Sequence, residues 1–277
     1  MEALRGIVAV LVMLLTSAGA LAQSGSLFAQ SVKAALSKAS FSATSSGVSW
    51  LALDARTGEL LASRWPDQDW PIPVGSLTKP FVALAYARTH ANFPRYTCAG
   101  TSTRCWLAKG HGTLNFDRAL TVSCNSYFLR LAENTSPAAI REMTREFNLP
   151  APPHGATAPE LIGLDPTWRI SPLVLGRAYA RLATKSEAGP ILAGMRHAAV
   201  SGTAGALAAE DALAKTGTAH CVEDCVASGD GFVVALTPKE NPRLLLFVRQ
   251  RGTTGAVTAA TAARMLHRLR EDHVIEP

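Results

Sequence analysis

The stretch GVSWLALDARTGELLASR, residues 47–64, holds two apolar runs, Val48 to Leu53 and Glu59 to Ser63, joined by a turn that ends at Gly58. Short apolar runs bounded by turn residues predict a β-hairpin. Both runs are apolar on both faces, so the predicted sheet must be covered on each side. A single hairpin cannot be a domain, and its strand partners must come from elsewhere in the chain.

Working outward, residues 27 to 40 read as a helix with Phe28, Val32, Ala35 and Leu36 on one face. Downstream, the Pro- and Trp-rich loop WPDQDWPIPVG leads into SLTKPFVALAYARTH, a predicted helix with Pro80 in its first turn, where the missing N–H costs little. From about 95 to 190 the pattern is mainly helical: LNFDRALTVSCNSYFLRLAE, SPAAIREMTREF and SPLVLGRAYARLA. Strand patterns return at ALAKTGTA, DGFVVALTP and RLLLFVRQR, followed by the helix TAATAARMLHRLRED. The expected fold class is α+β: an antiparallel sheet built from both chain ends, flanked by helices, with a mainly helical insert.

The 277 residues suffice for a sizeable core, and 48% hydrophobic against 17% charged residues describes a packed globular chain. The opening MEALRGIVAVLVMLLTSAGALAQ has one arginine, an apolar run from Ile7 to Leu15 and Ala20-Leu21-Ala22, a signal-peptide pattern over 1–22. Residues 23–44 are then an N-terminal segment and 45–277 the domain. Export to the periplasm or another extracytoplasmic space is the expectation, with the leader either cleaved or kept as a membrane anchor. The net charge of +6 suits anionic wall polymers or carboxylate substrates. No run of five basic residues and no aromatic–basic interleaving is present, so nucleic acid is not an expected partner.

Five cysteines in an exported chain suggest disulfides with one thiol left over. Cys98 and Cys105 bracket a polar turn and Cys221 and Cys225 bracket VED, which makes Cys124 the odd one. A zinc reading would join His111 to the first pair or His220 to the second. Neither set has Cys-x-x-Cys spacing and oxidising conditions favour disulfides, so no metal is expected.

Three short segments carry chemistry. In GSLTK, Ser76 and Lys79 lie three residues apart on one helical face, and a lysine whose pKa is lowered by burial can take a serine's proton. Alone, Ser-x-x-Lys is usually a cap and a solvated cation. In TVSCNSYFLR, Ser123 and Asn125 are two positions apart, about 200° around a regular helix. For both to face one cleft the backbone must be irregular there, with Cys124 turned inward as a small buried hydrophobe. In KTGT, Lys215, Thr216 and Thr218 offer a cation and hydroxyls on a strand that could bind a carboxylate. Gly217 leaves room there for a substrate backbone.

Ser-x-x-Lys, Ser-x-Asn and Lys-Thr-Gly in this order, on helix, helix and strand, form the signature of penicillin-recognising enzymes. The sequence resembles the transpeptidase domain of penicillin-binding proteins over about residues 45 to 268: LALDARTGELLA, GSLTKPF, GHGTLNFDRALTVSCNSYF, ISPLVLGRAYARLA and KTGTA each look like a segment of that family. It departs at IGLDPTWR, without the Gly-x-Gly-Glu often found there. The resemblance implies D,D-transpeptidase or D,D-carboxypeptidase action on D-Ala-D-Ala stem peptides of peptidoglycan. Ser76 would be the nucleophile, Lys79 its general base and Ser123 the proton relay to the leaving amine. Asn125, Lys215, Thr216, Gly217 and Thr218 would bind substrate, with the backbone N–H groups of Ser76 and Thr218 as oxyanion hole. It also implies β-lactams as covalent inhibitors, room for a cell-wall enzyme partner, and no metal or organic cofactor.

The rival readings are a serine β-lactamase and a non-catalytic penicillin-binding sensor or wall-binding module. For the first, Glu160 is the nearest candidate for a water-activating base, but HGATAPELIG does not match that motif and Glu160 receives no role. Trp50 is expected in the core, Trp65 and Trp70 as anchors near the loop into Ser76, and His111 as a turn residue.

Overall fold

A computed structural model describes residues 27–37, 47–221 and 229–275; the expected leader and Cys225 lie outside the described residues. In chain order the elements are α1 (27–37), β1 (Val48–Asp54), β2 (Leu60–Arg64), β3 (Ile72–Pro73), α2 (Lys79–Ala87), β4 (Tyr96–Cys98), β5 (Gly112–Leu114), α3 (Phe116–Thr121) and α4 (Asn125–Glu133). They continue with α5 (Pro137–Glu146), α6 (Ala158–Leu161), β6 (Arg169–Ile170), α7 (Pro172–Ala183), α8 (Gly189–Ser201), β7 (Leu213–Ala219), β8 (Asp230–Thr237), β9 (Leu244–Gln250) and α9 (Gly255–Glu271).

The predicted hairpin is β1–β2. Asp54 Oδ1 accepts the backbone N–H groups of Arg56 (2.8 Å) and Thr57 (3.0 Å), and Gly58 takes the positive φ that closes the turn. The C-terminal strands complete a sheet of order β2–β1–β9–β8–β7, antiparallel throughout, so β7 is an edge. Between its two contributions runs the insert, helical apart from the two-stranded pairs β3–β6 and β4–β5.

Both faces of the sheet are covered, as the two-sided apolar runs require. Period-two alternation sends Leu51, Leu53, Phe232, Val234, Leu245 and Phe247 to one core with α2, α4 and α7. It sends Trp50, Ala52, Val233, Ala235, Leu246 and Val248 to the other, under α1 and α9. Gly176 on α7 lets that helix lie directly on the sheet; a Cβ there would sit 2.5 Å from Leu53 Cδ1. On the other face α1 contributes Val32, Ala35 and Leu36, and α9 contributes Ala262, Met265 and Leu269. Each fully buried leucine of this set stabilises the fold by about 1.5–3 kcal/mol relative to exposure. Trp50 is core, and Trp65 is buried against Phe232 and Phe247, whereas Trp70 is exposed.

Three expectations change. The helix expected from Ser76 starts with a 3-10 turn, Gly75–Thr78, because Gly75 enters at φ +58° and Leu77 N–H bonds back to Val74 O. The helix expected over 114–133 breaks into α3 and α4. Cys98 and Cys105 are free thiols, not a disulfide: both sulfurs turn to His111 Nδ1, at 3.6 and 3.4 Å. Cys124 is free as well, while Cys221 is disulfide-bonded and its expected partner Cys225 lies outside the described residues.

Candidate active site

The Gly75–Thr78 turn, which carries Ser76, sits against the sheet edge. Side chains three residues apart eclipse along a 3-10 helix, so Ser76 and Lys79 project from one side of the turn. Two glycines make the approach to β7 close enough. A Cβ on Gly75 would lie 2.4 Å from Thr218 O, and one on Gly217 would lie 2.7 Å from Val74 O and 3.0 Å from Leu77 Cγ. On the side where a Cβ would project, Gly217 is met by the Val74–Leu77 backbone and the Leu77 side chain. From below, Tyr179 on α7 donates its hydroxyl to Leu77 O at 2.7 Å, and Gly163 lets the 162–168 loop touch Gly75 O.

The second segment is irregular in the way two cleft-facing residues demand. Ser123 has φ +50° between the end of α3 and the start of α4, with its N–H bonded to Leu120 O and that of Cys124 to Ala119 O. Cys124, fully buried, caps α4 in extended conformation, and burial pushes its thiol pKa up.

All three segments meet at Ser123. Lys79 Nζ, with no exposed surface, lies 2.9 Å from Ser123 O, 2.6 Å from Asn125 Oδ1 and 3.4 Å from Ser123 Oγ. Phe128 lies beneath it, 5.4 Å from ring centre to Nζ. Lys215 Nζ reaches across from β7 to Ser123 Oγ at 2.8 Å and to Thr216 O at 2.7 Å. Burial pushes the Lys79 ammonium down to about 7, opposed in part by the Cys124 and Cys105 thiols. Burial, reinforced by the positive charge of Lys79, also holds Lys215 well below the ordinary lysine range.

A neutral Lys79 amine fits this cage. Its two N–H groups go to Ser123 O and Asn125 Oδ1, oxygens that only accept, and its lone pair is left to take a proton from a hydroxyl. Ser76 is half-buried, and among the described residues its hydroxyl has no hydrogen bond, so it is free to meet such a base.

Thr216 and Thr218 are less free than the sequence suggests. Thr216 Oγ1 donates to Thr203 Oγ1 at 2.6 Å, and exposed Thr218 Oγ1 accepts Gly255 N–H at the start of α9, 3.0 Å away. Thr203, Phe128 and Tyr179 were not singled out from sequence. Thr203 stands in a loop with no periodicity, and the two aromatics read as ordinary helix core. Glu160 is committed elsewhere: its Oε2 accepts Thr157 N–H and Oγ–H at 2.7 and 2.8 Å, and its Oε1 accepts Thr167 Oγ–H at 2.9 Å. Those bonds, from Thr157 first and then Thr167, lower its pKa and leave it a helix cap, not a base for water.

The family model described as penicillin binding protein transpeptidase domain matches residues 48–268. No curated protein matches the chain. Among solved structures, penicillin-binding protein 2 of Pseudomonas aeruginosa superposes at TM-score 0.70 with 18% identity, over 86% of this chain and 75% of that one. The transpeptidase domain of Burkholderia pseudomallei penicillin-binding protein 3 gives TM-score 0.63 and 18% identity over 90% and 94%. Helicobacter pylori penicillin-binding protein 2, solved with MreC, gives 0.68 and 17% over 81% of this chain and 60% of its own. At these identities the structural matches speak for the fold.

Proposed function

The chain belongs to the penicillin-binding protein transpeptidase domain family, and on that premise we propose that it is a serine D,D-transpeptidase or D,D-carboxypeptidase acting on D-Ala-D-Ala stem peptides through a Ser76 acyl-enzyme. The observation that carries the reading is the buried Lys79 amine, held by Ser123 O and Asn125 Oδ1 and pushed down to about 7. A lysine pushed down to about 7, so that a substantial fraction is neutral near neutral pH, and one 3-10 turn from a serine hydroxyl is the base a serine nucleophile needs.

In this mechanism Lys79 Nζ takes the Ser76 proton as Oγ bonds to the carbonyl carbon of the penultimate D-alanine. The tetrahedral oxyanion is met by the N–H groups of Ser76 and Thr218, which the Gly75 and Gly217 contacts bring close. When the C–N bond breaks, Ser123 passes its proton to the departing amine and takes in exchange the one Lys79 received from Ser76, across the 3.4 Å contact, while Lys215 holds Ser123 Oγ at 2.8 Å. Asn125 orients the substrate amide, Lys215 supplies positive potential, and Thr216 and Thr218 bind the terminal carboxylate once they exchange their present partners. An amine acceptor or water then releases the acyl group. β-Lactams acylate the same oxygen.

The family is generally extracytoplasmic, and the substrate would place this chain there too. No helix among the described residues is long and apolar enough to cross a membrane. The MreC complex of the Helicobacter pylori relative supports a wall-assembly protein as partner.

The test is intact-mass spectrometry over time with a labelled penicillin. A long-lived adduct on Ser76 supports the proposal; rapid loss of the adduct indicates a β-lactamase, and no adduct sinks the acyl-enzyme. Release of D-alanine from a D-Ala-D-Ala peptide, with and without an amine acceptor, then separates transfer from hydrolysis and both from a sensor.

A further inference from the structure

Three thiols and an imidazole that the acyl-transfer chemistry does not use converge beside the second motif. Cys98 ends β4, Cys105 follows a 3-10 turn at Gly100–Thr103, His111 precedes β5, and Cys124 caps α4. Their ligating atoms all lie within 4.8 Å of one another. Cys98 Sγ is 3.6 Å and Cys105 Sγ 3.4 Å from His111 Nδ1, and Cys105 Sγ is 3.8 Å from Cys124 Sγ. A tetrahedral ion with metal–sulfur bonds of about 2.3 Å and metal–nitrogen bonds of about 2.0–2.1 Å has edges of about 3.8 Å between sulfurs and about 3.6 Å between sulfur and nitrogen. The contacts match those edges. They do not match a disulfide, whose sulfurs sit about 2.05 Å apart.

Backbone donors face two of the sulfurs. Backbone N–H groups of Gly100 and His111 point at the Cys98 sulfur, and that of Tyr127 points at the Cys124 sulfur. Such donors orient sulfur ligands and balance their charge. The loop between the first two ligands and the histidine is wound so tightly that Gly100 and Gly110 are needed at positive φ. A Cβ on Gly100 would lie 1.8 Å from Ala108 O, and one on Gly110 would lie 2.3 Å from Cys98 O. The three sulfurs are buried, and His111 is half-buried with the exposed Trp106 packed edge-on at 5.2 Å.

We propose that Cys98, Cys105, His111 and Cys124 form a closed metal site for a tetrahedral, thiophilic divalent cation, zinc by its ligand set, and that the bound ion fixes the turn carrying Ser123 and Asn125. On binding, the thiols release their protons to solvent and the sulfurs become thiolate ligands. With four protein ligands no position is open for substrate or water, so the ion's role is positional. Cys124 is the link: it sits between the two motif residues, and anchoring its sulfur holds Ser123 in its positive-φ conformation. The metal site stands whether or not the acyl-enzyme reading holds; only its effect on acylation rests on that reading.

The test uses the full chain, isolated without chelator or reductant. Elemental analysis should find about one zinc per chain, and replacement by cobalt(II) should give the intense thiolate charge-transfer and visible bands of a tetrahedral sulfur-rich site. Cys105→Ser should lose stoichiometric metal, whereas Ser76→Ala should retain it. Chelation should slow penicillin labelling of Ser76 by about tenfold or more, with the far-ultraviolet circular dichroism unchanged, and added zinc should restore the rate. Absence of both stoichiometric metal and cobalt bands in the unmodified chain overturns the site, as does a Cys98–Cys105 disulfide in non-reducing peptide maps. A labelling rate indifferent to zinc overturns the positional role, and bound zinc with no labelling at all counts against the acyl-enzyme alone.

Discussion

Lys79 and Lys215 address the same oxygen from different elements: their Nζ atoms lie 3.4 and 2.8 Å from Ser123 Oγ. Burial pushes both lysines toward the neutral form, and the positive charge of Lys79 adds to the effect on Lys215. The arrangement has a direction. If Lys215 donates to Ser123, the Ser123 proton is free to point toward Lys79 or toward a leaving group. A proton can then cross the cleft without water.

The first prediction concerns pH. The amine accepts a proton only when neutral, and the neutral fraction of Lys79 grows as pH rises through about 7. The rate of penicillin acylation should therefore be low in acid and climb through that region. Quenched-labelling rates across a pH series check it; a rate that falls as pH rises through 7 would remove Lys79 as the base.

The second prediction tests the cage around that amine. Asn125→Asp places a carboxylate where Oδ1 now lies 2.6 Å from Lys79 Nζ. An anion at that distance favours the charged amine, so the midpoint of the same pH profile should move to higher pH. Asn125→Ala removes the partner without adding charge and should not shift the midpoint upward.

Ser123→Ala removes the oxygen shared by both lysines and leaves Lys79 its contacts to Ser123 O and Asn125 Oδ1. Turnover of a D-Ala-D-Ala peptide should fall by about 10²–10⁴, the range of one proton-transfer group. The buried base is kept, so the loss should fall mainly on kcat and not on KM, which steady-state kinetics resolves.

Much of this was legible in the sequence because it rests on local rules. Two-sided apolar runs gave the covered sheet, and the 200° offset between Ser123 and Asn125 demanded the kink that Ser123 supplies at φ +50°. What escaped was set by distance along the chain. Gly217 makes room for Val74 O, far earlier in sequence, a contact no local pattern encodes. Cys98 and Cys105 looked like a disulfide because six intervening residues suit one. Their true neighbour, His111, is brought in only when β4 and β5 pair.

Gly217→Ala tests the fit between strand and nucleophile turn. The new methyl would stand 2.7 Å from Val74 O, a backbone atom that cannot swing away as a side chain would. Strain of this kind destabilises by about 1–3 kcal/mol. Urea midpoints should fall accordingly, and acylation should slow further than the lost stability explains, because the displaced turn carries Ser76.

Tyr179→Phe probes the same turn from the opposite side. Its hydroxyl is buried on α7 and donates to Leu77 O at 2.7 Å, one residue after the nucleophile. Removing the donor leaves a buried carbonyl unsatisfied while the ring keeps its edge-to-face contact with Phe81 at 5.1 Å. The cost to folding should be about 1–3 kcal/mol, read from urea unfolding. The effect on chemistry should be separable. With the turn less firmly held, acylation at saturating penicillin should slow, while the concentration giving half-maximal rate stays nearly constant, because the lost bond holds the turn from α7 and not from β7, the strand proposed to bind the carboxylate. A change confined to that concentration would mean the tyrosine supports binding instead of the position of Ser76.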